Sequence, residues 1–413
     1  MRYNEHKLIN INKGGLAMDK KGVIQEISRT TEEIFSLKEL EKLLDSGRQL
    51  RIKYGVDVTA PTLHIGHAVN LWMMRKFQDL GHKVIFLIGD FTTQIGDPTG
   101  KNKTRPIIPR DQIEKNTLEF IDQAKMVLRF DDRNLLEIRR NSEWFDKLPT
   151  AEFLKLMSMV TNARLISRDM FQKRIKDGVD IYEHELVYPI LQGYDSVVLK
   201  SDLTIIGSDQ LFNEMLGRFY QEKSDQNPQV IITTKITPGI DGKEKQSKSL
   251  GNYIGLAHSS RDKFGRVMSI PDNLIADYLR VYTEVPIAEV ARIEKIIPNN
   301  PMIQKKFLAY KIVERYHGSK VAMEEQKWFE KTFSARLIPA DIKEIAVNFP
   351  TDIFMVVKEY FGEKKSNSEI RRLFEQGAVS LNQSKISDTK KSVGNGDIIK
   401  IGKRVWFKLS QKD

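Results

Sequence analysis

Residues 50–88 impose a strand–helix–strand unit, and that unit leaves few folds open. Leu50, Ile52, Tyr54 and Val56 alternate with polar residues or glycine, which turns one side of a strand toward a core. A turn follows at 59–62. Val69, Met73, Phe77 and Leu80 then share one stripe of a helix that stops at Gly81. Val84-Ile85-Phe86-Leu87-Ile88 is apolar without a break, the pattern of a parallel strand covered on both faces. Shorter strands are expected at 135–139, 203–206 and 230–234, with helical stretches between them. The predicted fold class is α/β: a doubly wound, Rossmann-like parallel sheet that binds ligands at the carboxyl ends of its strands.

With 413 residues, two or three domains are expected. Residues 1–45 read as a polar lead-in with a helix over 31–44, and 46–255 as the sheet domain. Within the latter, the strand rhythm breaks into a helical insertion over about 144–190. An all-helical segment is expected over 256–345, with helical pattern to about Pro350. After Thr351 a short helix pair precedes strands at 378–382 and 397–401, an α+β segment over 351–413. The chain has no cysteine, which excludes disulfides, a thiolate nucleophile and a Cys-type zinc site. No apolar run approaches the roughly 18 residues of a membrane span, and the first 30 residues show no apolar signal core. A cytoplasmic protein without a membrane partner is expected.

Net charge is +11. Residues 351–413 hold thirteen Lys/Arg against eight Asp/Glu, a surplus suited either to a polyanion, most simply nucleic acid, or to a solvated surface.

Five clusters are candidates for chemistry. His64-Ile65-Gly66-His67 lies between strand and helix, where unpaired N–H groups and the helix dipole favour phosphate. Its three-residue spacing permits a zinc site, but no convincing third ligand is near, so no metal is expected. Gly96-Asp97-Pro98-Thr99-Gly100-Lys101, with Lys103 and Arg105, follows the buried strand; a plain turn with solvated basic residues also fits it. Tyr188, Gln192 and Asp195 fall at i, i+4 and i+7, one helix face with a hydroxyl, an amide and a carboxylate. Such a face suits an amino acid with a polar tip, or else plain solvent. Gly207-Ser208-Asp209-Gln210 ends another strand, where Asp209 can meet a ribose. Lys245-Gln246-Ser247-Lys248-Ser249 in isolation is an ordinary lysine-rich loop.

Taken together, these residues resemble the bacterial tyrosyl-tRNA synthetases of class I. The likeness runs from about Leu50 to the C-terminus. It includes Gly55-Val56-Asp57 with Thr59, both histidines, the Tyr188 to Asp195 stretch and the lysine-serine loop over 241–251. The segment Lys365-Ser366-Asn367-Ser368-Glu369-Ile370-Arg371-Arg372-Leu373 resembles an S4 RNA-binding domain, in which the basic surplus becomes RNA contact through Lys365, Arg371 and Arg372.

The resemblance implies that tyrosine attacks the α-phosphorus of Mg-ATP and that tRNA(Tyr) then takes the tyrosyl group. Thr59, His64 and His67 would hold the β- and γ-phosphates, and Lys101, Arg105, Lys245 and Lys248 the pyrophosphate. Gly55, Asp57, Gly66, Gly207, Asp209, Gln210 and Ser247 would line the adenylate. Asp97, Tyr188 and Gln192 would take the substrate ammonium and Asp195 the phenol. No resident cofactor is implied beyond ATP with Mg2+, and a homodimer through the helical insertion is.

Three positions depart from the family pattern: Gln246 replaces a methionine, Val58 a proline, and Lys53 a second ligand for the phenol. Two alternatives remain: a ligase for tryptophan or another aromatic amino acid, and a degenerate paralogue that only binds RNA.

Overall fold

The computed structural model describes residues 20–99, 108–334, 342–382, 384–402 and 405–412, in two compact units, Met1–Gln326 and Lys327–Asp413. In the first unit, strands β1 (Thr31–Phe35), β2 (Arg51–Val56), β3 (Lys83–Ile88), β4 (Leu136–Arg140), β5 (Leu203–Gly207) and β6 (Val230–Thr234) form one sheet. Their order is β1-β6-β5-β2-β3-β4. β1 pairs antiparallel with β6, and the remaining pairs are parallel. Val84 to Ile88 are all buried, as a strand covered on both faces requires.

The chain moves outward from β2 through β3 to β4, then returns to lay β5 on the other side of β2 and β6 beyond it. The connections leaving β2 and β5 therefore diverge, and a crevice opens between their carboxyl ends.

Two expectations fail here. Residues 31–44 are not one helix. Ser36 accepts from the Glu39 amide and the Glu39 carboxylate accepts from the Ser36 amide, so a capping box starts the helix at Leu37–Asp45. The residues before it satisfy their backbone by pairing with the β6 edge. A further helix, Lys20–Ser28, lies within the expected polar lead-in and buries Val23 and Ile27.

The second failure is the helical pattern expected to about Pro350. Helices Ser260–Met268, Ile275–Tyr282, Ile287–Ile296 and Pro301–His317 are present. Lys343–Val347, however, is strand β7, paired in parallel with a strand at the chain's end. Five residues are too short for periodicity to separate helix from strand, and the distant partner decides.

The second unit continues with β8 (Thr351–Asp352), β9 (Val379–Leu381), β10 (Ser384–Lys385), β11 (Ser392–Val393), β12 (Ile398–Ile401) and β13 (Val405–Gln411). Four of these strands join β7 in a sheet ordered β10-β9-β12-β13-β7. Helices Ile353–Phe361 and Asn367–Glu375 share a core with it through Val356, Ile370, Phe374, Ile399 and Phe407.

Between β4 and β5 the chain is helical, ending in the long helix Glu183–Leu199. That helix packs on Leu211–Lys223 through Gly193 and Gly217. A Cβ at Gly193 would stand 3.0 Å from Tyr220 Cδ2 and 3.1 Å from the Leu216 carbonyl carbon. Backbone on one side and a buried ring on the other leave it no room. Gly193→Ala is therefore expected to cost about 1–3 kcal/mol through overpacking, read as a lower urea midpoint.

Candidate active site

The crevice between β2 and β5 encloses a cavity of about 440 Å³. It is lined by Gly55, Asp57, Thr59, His64, Gly66, His67, Asp97, Tyr188, Gln192, Asp195, Gly207, Asp209, Gln210 and Lys245. Ser247 and Lys248 lie on the same loop as Lys245 but outside this lining. Gly100, Lys101, Lys103 and Arg105 fall outside the described residues.

His64 is the N-cap of helix Ile65–Asp79 and His67 lies in its first turn. The imidazoles stack with centroids 3.7 Å apart. His67 Nδ1 accepts from the His64 backbone N–H, which leaves Nε2 as its protonated nitrogen. A Cβ on Gly66 would come within 2.9 Å of the His64 ring, so glycine makes room for the stack. Burial, then the neighbouring His67, Lys248 and Lys245, pushes His64 down to about 2. Burial and the same lysines push His67 down to about 3. Both rings are thus neutral hydrogen-bonding groups, and the positive charge comes from the lysines.

Helix Glu183–Leu199 turns Tyr188, Gln192 and Asp195 into the cavity, as their spacing predicts. Tyr188 Oη donates to Asp57 Oδ2 at 2.9 Å. Burial, with Asp57 and Asp97 nearby, holds the phenol well above its usual pKa, so it remains a donor. Asp57 also accepts from Thr92 Oγ1 at 2.8 Å. It therefore braces Tyr188, in addition to facing the cavity where the adenylate was expected. Asp97 Oδ2 accepts from Gln210 Nε2 at 2.7 Å, which ties Gln210 to the expected ammonium side. Asp195 Oδ1 accepts from Trp144 Nε1 at 3.1 Å. Burial pushes Asp195 up to about 8 against the pull of Lys53 and bonds from Asn141 and Trp144, with Glu214 adding to the rise.

The lysine loop is fastened at several points. Lys245 Nζ pairs with Asp209 Oδ2 at 3.0 Å, joining a residue expected on pyrophosphate to one expected on ribose. Gln246 is buried; its amide donates to Tyr282 Oη at 2.7 Å and accepts from the Ile254 N–H at 3.2 Å. A methionine makes neither bond. The Ser247 amide donates to Asn252 Oδ1 at 2.8 Å. Lys248 Nζ lies 5.7 Å from the Phe120 ring centroid, and burial lowers its pKa to about 8. Val58 donates its N–H to Thr93 Oγ1 at 3.0 Å, a bond that proline cannot form.

Sequence reasoning missed Asn141, Trp144, Asn213 and Glu214. Lys53 does not stand as a lone cation beside Asp195, since it pairs with Glu214 at 2.8 Å and donates to Ser196 Oγ at 2.7 Å. Asn213 and Glu214 lie three and four residues beyond the recognised Gly207 to Gln210 stretch, and a polar pair on an inward helix face was the available signal.

The Asp195 environment has a consequence for stability. The folded chain holds a proton that the unfolded chain releases near pH 4, so stability from this site falls as pH rises toward about 8. Asp195→Asn cannot ionise. Its Tm relative to the parent should rise steadily across that window and level off above it; a difference independent of pH would contradict the assignment.

Residues 45–334 match the family described as tRNA synthetases class I (W and Y). The tyrosine–tRNA ligase of Methylococcus capsulatus is 42% identical over 393 residues, covering 94% of this chain and 98% of that protein. That of Aquifex aeolicus is 40% identical over 387 residues, covering 93% and 97%. Among solved structures, a C-terminally truncated mitochondrial tyrosyl-tRNA synthetase of Aspergillus nidulans has a TM-score of 0.62 at 23% identity, covering 76% of this chain and 93% of that one. The tyrosyl-tRNA synthetase of Archaeoglobus fulgidus, solved with L-tyrosine, has a TM-score of 0.60 at 20% identity, covering 75% and 100%. These two likenesses concern the fold alone. From sequence kinship over nearly its whole length, the chain belongs to the bacterial tyrosyl-tRNA synthetases, class I enzymes that ligate tyrosine to tRNA.

Proposed function

We propose that the β2–β5 crevice carries out both steps of tyrosine ligation to tRNA(Tyr). One observation carries this reading: a single helix directs Tyr188, Gln192 and Asp195 into the cavity that His64 and His67 also line. A grip for an amino acid and a grip for phosphates share one space.

In this reading L-tyrosine lies with its ammonium among Asp97, Tyr188 and Gln192 and its phenol on Asp195. ATP enters as its Mg2+ complex, with the adenosine end along Gly55, Asp57, Gly207 and Asp209. A carboxylate oxygen of tyrosine attacks the α-phosphorus, and the bond to the pyrophosphate oxygen breaks. Negative charge grows on the departing pyrophosphate. Thr59, His64 and His67 meet it as neutral donors, and Lys245 and Lys248, with Lys101 and Arg105, as cations. Catalysis is positioning plus preorganised charge, with no covalent enzyme intermediate. A ribose hydroxyl at the tRNA 3′ end then attacks the tyrosyl carbonyl and AMP leaves.

The second unit is assigned to tRNA. Arg371 and Arg372 are exposed on helix Asn367–Glu375, and Lys365 Nζ lies 5.5 Å from the Phe361 ring centroid. Leu154, Ile175, Val179 and Tyr182 leave apolar surface exposed in the helical insertion, which supports a homodimer formed there. Among the described residues, no helix is long and apolar enough to cross a membrane.

Tyrosine-dependent exchange of pyrophosphate into ATP tests the reading. Exchange with tryptophan but not tyrosine would overturn the substrate, and RNA binding without charging would leave an RNA-binding protein. Loss of the His67 donor should slow adenylate formation about 10²–10³-fold, while tyrosine affinity in His67→Ala stays within about twofold of the parent. Single replacement of Arg371 or Arg372 by Ala should weaken tRNA binding and flatten its salt dependence by about one charge; unchanged salt dependence would remove that residue from the interface.

A further inference from the structure

Beside the expected ammonium subsite lies a buried charge that this mechanism does not use. Glu214 stands on helix Leu211–Lys223 with its side chain 3% exposed. Its Oε1 accepts from Gln192 Nε2 at 2.8 Å and from Lys53 Nζ at 3.0 Å. Its Oε2 accepts from Gln229 Nε2 at 2.7 Å and pairs with Lys53 at 2.8 Å. Lys53 stands as the counter-charge to this carboxylate in a dry setting.

A carboxylate only accepts, whereas a carboxamide has a donor end and an acceptor end. Facing Glu214, Gln192 must turn its NH2 toward it and its oxygen away. Asn213 Nδ2 then donates to Gln192 Oε1 at 2.7 Å and to Gln210 Oε1 at 3.1 Å. Gln210 in turn donates to Asp97. Three amides thus stand in a row between two acceptor-only ends, and those ends set the direction of every member.

We propose that Glu214 is a positioning residue of the tyrosine subsite, which fixes Gln192 so that the incoming ammonium meets its amide oxygen and not its NH2. The inference rests on the reading of Asp97, Tyr188 and Gln192 as the ammonium site. Tyr188 follows the same logic: it donates to Asp57 and keeps its oxygen lone pairs for a donor. With both orientations set, the ammonium's three hydrogens find three acceptors: Asp97, the Tyr188 oxygen and the Gln192 oxygen. Removing the carboxylate's demand for a donor lets Gln192 reverse and present its NH2 to a cation.

The test pairs tyrosine with 3-(4-hydroxyphenyl)propionate, the same molecule without its ammonium, used as a competitive inhibitor of pyrophosphate exchange. In Glu214→Gln, the KM for tyrosine should rise about tenfold, the scale of one hydrogen bond to a charged group. The KM for ATP and the inhibition constant of the propionate should stay within about twofold. Parallel weakening of tyrosine and propionate would show that Glu214 only packs the pocket, and no change in either would show that it has no role. The double variant Lys53→Met/Glu214→Met removes the buried pair as a unit, which proteins commonly tolerate; it should show the same selective loss even if Glu214→Gln folds poorly. Gln192→Ala separates the two readings. If it leaves the tyrosine KM unchanged, the ammonium site itself is misplaced; if it raises that KM while Glu214→Gln does not, only the role of Glu214 fails.

Discussion

The divergence of the chain at β2 and β5 is the constraint on which the site depends. Parallel strands require crossovers, and crossovers leaving adjacent strands in opposite directions cannot cover the ends between them. Much of the cavity is placed by that opening. Gly55, Asp57 and Thr59 come from the end of β2, and Gly207 and Asp209 from the end of β5. The histidines cap the helix that leaves β2, and the helix entering β5 brings in Tyr188, Gln192 and Asp195. The histidine pair and the substrate helix need no contact with each other, because the sheet fixes both.

Burial then assigns electrical roles. Burial and the lysine loop keep the stacked histidines from taking up a second ring proton, so both imidazoles stay neutral. Asp195 retains its proton for the same reason with the opposite sign. Lys53 and Glu214 remain together in the dry interior because each satisfies the other. One physical effect, loss of water, thus leaves neutral groups and a paired charge in the lining of the same cavity.

Much of this was legible in the chain because the informative spacings are local. The histidines sit three residues apart, and Tyr188, Gln192 and Asp195 follow one helical period, so each group declares its own geometry. Glu214 could not be found this way. Its partners Lys53, Gln192 and Gln229 lie 161, 22 and 15 residues away, and only the fold brings them together. β1 and β7 were missed for a related reason, since a short strand is defined by the edge it pairs with. The helix predicted over 31–44 failed on a local signal that was present: Ser36 and Glu39 mark a helix start inside it. The bonds of Gln246 and Val58 show that departures from a family pattern carry hydrogen bonds whose partners the pattern does not reveal.

The contact between Lys245 and Asp209 gives the loop a sense of timing. Both side chains are substantially exposed, so the pair contributes at most about 1 kcal/mol and parts easily. With Asp209 assigned to the ribose and Lys245 to the pyrophosphate, one carboxylate cannot serve sugar and ammonium equally well. On the proposed reading, a nucleoside whose ribose takes Asp209 would displace the lysine toward its own phosphates. On that reading the weak pair couples the two ends of one nucleotide: a sugar hydroxyl on Asp209 would free the lysine's charge for the phosphates the same molecule carries.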